Sequence, residues 1–146
     1  MAPKFETEAV DEFERRFGRE TAWKRACDLM IAYFTQLQSE MLFPEVAALG
    51  LDAAVRYQRG ELSMNYLMEA RLAAWRYLRD QKAIAVQRTP EQHLVQALSL
   101  LLYRGPGPGE SFDDSGDVIL SLWDRAHGFD RNPDGIAALV TKYFAV

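Results

Sequence analysis

The chain has 146 residues, of which 49% are hydrophobic and 26% charged, a formal net charge of −4 and one cysteine. These proportions are typical of a globular domain and exclude a chain that stays disordered through high charge. The length predicts a single domain spanning residues 1–146, and Cys27 cannot form an internal disulfide. No apolar run approaches the roughly 18 residues of a membrane-spanning helix, and no signal-type segment is visible. We therefore expect a cytoplasmic protein that makes no membrane contact.

Apolar residues recur at helical spacing along almost the whole chain, which predicts an all-α bundle of about six or seven helices. The first helix is predicted to end at Gly18. Its apolar face comprises Phe5, Ala9, Phe13 and Phe17. The second helix is long and begins near Thr21. Its core face comprises Trp23, Cys27, Met30, Phe34, Leu37 and Met41. This pattern is also a heptad seam, so it suits the central helix of a bundle, which we favour, or a coiled-coil dimer.

Glycine and proline punctuate the middle of the chain. Pro44 suits a helix start, whereas Gly50 and Gly60 suit helix ends, so we predict two short helices here. Ser63 then caps a longer helix. Its predicted core face comprises Leu67, Met68, Leu72, Trp75 and Leu78. Pro90 opens the next helix. The core face of that helix comprises Leu94, Val95, Leu98, Leu101 and Leu102.

The stretch RGPGPGESFDDSGD, residues 104–117, interrupts the helical pattern before the last two helices and is a candidate hinge. Its prolines remove N–H donors and its carboxylates repel anions, which excludes a phosphate-binding loop. A calcium loop would require glycine where Val118 stands. We predict that Asp114 or Ser115 caps the following helix and that Asp117 lies in its first turn.

Residues 89–146 hold eight acidic and four basic side chains, a difference that equals the whole net charge of −4. The acidic residues cluster in the interrupting stretch around one aromatic ring. The candidate partner-binding residues are Glu110, Phe112, Asp113, Asp114 and Asp117. Carboxylates accelerate encounter with a basic protein, and an aromatic side chain can anchor it. The alternative is a solvated acidic linker.

Residue types that carry catalysis are poorly placed. His93 lacks a second metal ligand at helical spacing, and we expect it to be exposed. One predicted helix carries Ser121, Asp124 and His127 in that order along its axis. A catalytic triad requires the histidine between the serine and the aspartate, so this order does not suit one. We therefore predict no catalytic residue, no metal and no cofactor. Arginines lie near aromatic residues between positions 66 and 88, but the negative net charge argues against nucleic-acid binding.

In size, acidity and helical class, the chain is similar to bacterial immunity proteins, which cover the basic active sites of toxins, although no motif is shared. The similarity implies an inhibitor that binds a cognate toxin or enzyme and has no chemistry of its own. Two alternatives stay open. One is a small-ligand protein or enzyme with a pocket between helices, in which Asp124 and His127 would be the acid/base pair. The other is a regulatory or scaffolding homodimer through the heptad helix.

Overall fold

The structure is a computed structural model that describes residues 7–81, 89–102 and 114–145. Within these ranges every regular element is an α-helix, which confirms the predicted all-α bundle. The described ranges contain seven helices: α1 Glu8–Phe17, α2 Arg19–Glu40, α3 Glu45–Gln58, α4 Met64–Asp80, α5 Pro90–Leu102, α6 Ser115–Ala126 and α7 Gly135–Tyr143. None of these helices is both long and apolar enough to cross a membrane.

The central element of the bundle is α2, which packs against α1, α3, α5, α6 and α7. The predicted core face is confirmed for Trp23, Cys27, Met30, Phe34 and Leu37, all of which are buried. Four further buried residues of α2 widen this face beyond a heptad seam: Ala22, Ala26, Leu29 and Tyr33. Because neighbouring helices surround the seam, it cannot also pair with α2 of another copy.

The predicted face of the first helix is confirmed at one residue only. Phe13 is buried, together with Val10, whereas Ala9 is exposed and Phe17 is 51% exposed. Each step of four residues turns the helix about 40° beyond a full circle, so a run of such steps leaves the buried face. Phe5 lies outside the described residues.

Residues 45–58 form one helix, so the prediction of two short helices was wrong. Gly50 is buried inside α3, which packs against α5. A Cβ atom at position 50 would lie 3.0 Å from Cδ2 of Leu98 and 3.4 Å from Cδ1 of Leu102. Gly50 therefore permits close packing of two helices and does not end one. Gly60 does follow the end of α3, with a φ of 75°.

Only part of the predicted core face of α4 is buried. Leu67 is buried and Leu78 is partly buried against the core, as predicted, and Ala74 is buried as well. Met68, Leu72 and Trp75 are instead 50%, 48% and 59% exposed. The neighbours of α4 are α3 and α5, and they cover only the side that carries the two buried residues. The helix thus has a second apolar side that no other helix covers in the described part of the chain.

The later helices show one confirmed core face and one unexpected contact. All five predicted core residues of α5 are buried, from Leu94 to Leu102. His93 is partly buried, not exposed as predicted, because its ring packs on Gly128 after α6. A Cβ atom on Gly128 would lie 2.5 Å from Cγ of His93. Glycine at this position therefore allows the start of α5 to approach the end of α6.

Candidate functional site

The amino-terminal ends of α1 and α6 lie side by side. Asp114 is the N-cap of α6, and its Oδ1 accepts a hydrogen bond of 3.1 Å from the backbone N–H of Asp117. This geometry confirms the predicted cap and the position of Asp117 in the first turn. A Cβ atom on Gly116 would lie only 2.6 Å from Oδ1 of Asp11. The absence of a side chain at Gly116 therefore lets α1 approach the start of α6.

A second acidic residue of α1 binds the start of α6 directly. The backbone N–H of Ser115 donates a hydrogen bond of 3.1 Å to Oε2 of Glu14. Oε1 of Glu14 lies 3.3 Å from Nε of Arg19. A carboxylate at this position satisfies an otherwise unpaired helix N–H and is favoured by the helix dipole. We call the four converging carboxylates the acidic rim: Asp11, Glu14, Asp114 and Asp117.

The structure describes only two of the five predicted contact residues. Asp114 and Asp117 belong to the acidic rim, whereas Glu110, Phe112 and Asp113 lie outside the described residues. Asp11 and Glu14 were not predicted, because Glu14 is 101 positions away from its partner Ser115. In the described part of the chain, no group of three His, Cys, Asp or Glu side chains could hold a metal ion. The acidic rim is therefore a charged surface, and its carboxylates do not form a metal site within the described part of the chain.

A cleft of about 370 Å³ lies between α2 and α7. The hydroxyl of Tyr33 donates a hydrogen bond of 2.6 Å to Oδ2 of Asp130. Oδ1 of Asp130 accepts a second one, of 2.9 Å, from the backbone N–H of Asn132. Burial raises the pKa of Tyr33 far above its ordinary value, and the Asp130 carboxylate raises it further. The phenol stays protonated at neutral pH, so it anchors the connection between α6 and α7 and does not act as a base.

An apolar cleft of about 330 Å³ borders the uncovered side of α4. Trp75 forms one wall, and Leu78, Leu100 and Val118 contribute apolar surface. Arg71 is the one charged residue among those that line it. This cleft has the size of a small-ligand pocket, but it presents few polar groups that could orient a substrate.

Asp124 and His127, the acid/base pair considered for an enzyme, lie outside these clefts. Both are exposed, and Nδ1 of His127 lies 2.8 Å from the backbone oxygen of Trp123. The imidazole also meets the Trp123 ring edge to face, with 4.4 Å between ring centroids. The ring is thus held against its own helix, and neither residue lines the two clefts described above. The described geometry gives no support to general acid/base catalysis by these two residues.

Comparison of the chain with protein-family models, with curated proteins and with solved structures finds no match.

Proposed function

We propose that the protein is an inhibitor of the immunity type, which binds a basic protein partner and covers its active site. The observation that supports this proposal is the acidic rim. Its carboxylates come from two helices, and Asp114 and Glu14 are fixed by hydrogen bonds to the backbone of α6. Because these groups are ordered before binding, little conformational entropy is lost when a partner engages them.

The charge of the rim favours a basic partner. Among the described residues no ion pair engages Asp11, Asp114 or Asp117, and Asp11 and Asp117 are exposed. Arg15 and Arg19 border the rim, but they pair with Glu12 and Glu14. The three carboxylates without an ion pair in the described part of the chain therefore leave a local negative potential, to which the net charge of −4 adds. Such a potential steers a positively charged surface and accelerates association. Occlusion of a basic active site requires no catalytic residue of the inhibitor.

The experiment neutralises the rim without removing the helix cap. The rim variant carries Asp11→Asn, Asp114→Asn and Asp117→Asn, because asparagine caps helices about as well as aspartate. The control variant carries Asp52→Asn, Asp80→Asn and Asp124→Asn, which are exposed residues outside the rim. Both variants change the net charge from −4 to −1, so they are matched in total charge. The control also removes the exposed ion pairs of Asp52 with Arg56 and of Asp80 with Arg79, which contribute little to stability. Each is used to capture proteins from the native cell lysate, followed by quantitative mass spectrometry.

We expect the wild type and the control variant to capture one basic protein in stoichiometric amount, and the rim variant to capture less of it. With the purified partner, the rim variant should associate at least about tenfold more slowly at low salt. The difference should shrink as ionic strength rises, because salt screens the charges. The partner's activity should be lost on binding. Equal association rates for rim and control variants, or a partner that stays active in the complex, would contradict the proposal.

A further inference from the structure

One side of α4 carries a continuous line of exposed apolar side chains. We call it the apolar stripe, and it consists of Met64, Met68, Leu72 and Trp75, which are 41%, 50%, 48% and 59% exposed. Each step of four residues turns about 40° beyond a full circle, so Leu72 lies about 80° round the helix from Met64, and the final step of three brings Trp75 back to about 20°. The stripe is therefore a band about 80° wide and about 16 Å long.

The size of the stripe places it among interaction surfaces. Its four side chains expose on the order of 400 Å² of apolar surface, which lies in the range of patches that mark binding sites on single chains. A stable dimer buries about 800 Å² on each partner, more than half of it apolar. The apolar cleft beside Trp75 extends the same surface towards Leu100 and Val118. The stripe and the cleft together thus provide the apolar core of a standard interface.

The charges around the stripe are nearly balanced. The α4 helix carries Arg71, Arg76 and Arg79 against Glu69 and Asp80. Arg79 lies 3.3 Å from Oδ1 of Asp80 and stacks over Trp75, 5.2 Å from the ring centroid. A surface with this balance neither requires a strongly charged partner nor repels another copy of itself.

The order of residues along α4 makes the stripe complementary to itself. When two copies of α4 pack antiparallel about residue 70, Met68 of one copy lies opposite Leu72 of the other. Trp75 then lies opposite Asn65, which is one residue, or about 1.5 Å along the helix axis, from Met64. A two-fold axis repeats every pair, as the symmetry of a homodimer requires.

We propose that the protein forms a two-fold homodimer in which α4 packs antiparallel on α4 of a second copy through the apolar stripe. The dimer surface includes none of the four residues of the acidic rim, so this proposal does not depend on the inhibitory function. It also differs from dimerisation through α2, whose heptad face is buried inside the bundle.

The first test measures mass in solution by sedimentation over about two decades of protein concentration. The weight-average mass should rise from the monomer value of 16.6 kDa towards twice that value. Leu72→Glu and Trp75→Glu should each weaken dimerisation by about thirtyfold or more, the loss expected when a central interface residue is replaced. Leu42→Glu is the matched control, because Leu42 is 93% exposed and lies outside α4. It should leave the mass unchanged.

A charge pair tests the antiparallel arrangement. Met68→Glu and Leu72→Lys should each weaken the dimer by about thirtyfold, because each places a charge in the apolar contact. The protein that carries both changes should dimerise more tightly than either single variant, because position 68 of one copy lies opposite position 72 of the other and the two new charges have opposite sign. Circular dichroism should show native helix content in every variant, since the altered side chains are exposed or half exposed. A mass of 16.6 kDa at all concentrations would overturn the proposal, and so would a dimer that survives Leu72→Glu or lacks the charge rescue.

Discussion

Replacing Tyr33 by phenylalanine tests the bond that joins α2 to the connection between α6 and α7. The change removes one hydroxyl and with it the 2.6 Å hydrogen bond to Asp130. Tyr33 is only 6% exposed, so the aromatic packing should survive. Hydrogen bonds to charged groups contribute about 1.5–3 kcal/mol. Asp130 keeps its bond from Asn132 and is partly exposed, so we expect the lower end of that range.

The same bond predicts how stability depends on pH. Burial, and then Asp130, raise the pKa of Tyr33 above its ordinary value of 10.0. Below pH 10 both the native and the unfolded chain hold the phenol proton, so the stabilisation is fully present. Above pH 10 the unfolded chain loses this proton while the native state keeps it. Wild-type stability should then fall, relative to Tyr33→Phe, by about 1.4 kcal/mol per pH unit.

The assay is urea unfolding of both proteins between pH 7 and about pH 11.5. The variant should be less stable by about 1.5 kcal/mol at pH 7, and the two proteins should become equally stable near pH 11. The other tyrosines are present in both proteins, so their titration cancels in the difference. A difference that stays constant across this range would refute the raised pKa. A loss below about 0.5 kcal/mol at pH 7 would refute the contribution of the hydrogen bond.

Three further changes test the packing of particular helices by urea unfolding. Asp114→Ala should destabilise the protein by about 1 kcal/mol and Asp114→Asn by much less, because only alanine removes the α6 cap; equal losses would contradict the cap. Gly50→Val should lower stability by about 1–3 kcal/mol through overpacking against α5. Ala73→Val, at an exposed position of α4, should lower the stability by less than about 0.7 kcal/mol. Equal losses for Gly50→Val and Ala73→Val would refute the close contact between Gly50 and α5. Gly128→Ala should be strongly destabilising alone and less so in a His93→Ala background, because alanine removes the ring but keeps the Cβ atom 2.9 Å from the new side chain; additive effects would exclude their contact.

The helices themselves were predictable because they depend on neighbours along the chain. The apolar spacing of α2 and α5 marks one broad face on each helix, and the structure buries both faces. Asp114 was predictable as a cap because its bond reaches Asp117, only three residues further on. Gly18 and Gly60 were predictable as helix ends because positive φ angles suit glycine, and both have them.

Half of the acidic rim could be predicted in the same way. Asp114 and Asp117 belong to a run of acids that the sequence displays directly. Asp11 and Glu14 join them only because α1 packs on α6, and nothing in the local sequence of α1 indicates that neighbour. The clearest local sign of the rim was the presence of acidic residues in the first turns of α1 and α6. Such residues occur in many helices, because the helix dipole favours negative charge there.

The sequence by itself determined that the chain forms amphipathic helices, where several of them end, and which residues are apolar. Only the tertiary structure decided which apolar residues are covered. Gly50 became a packing contact because α5 passes over it, and Leu72 and Trp75 became a surface because α3 and α5 cover the other side of α4. The physical reason is that periodicity reports the side chains of one helix, whereas burial depends on a second helix that is distant in the chain.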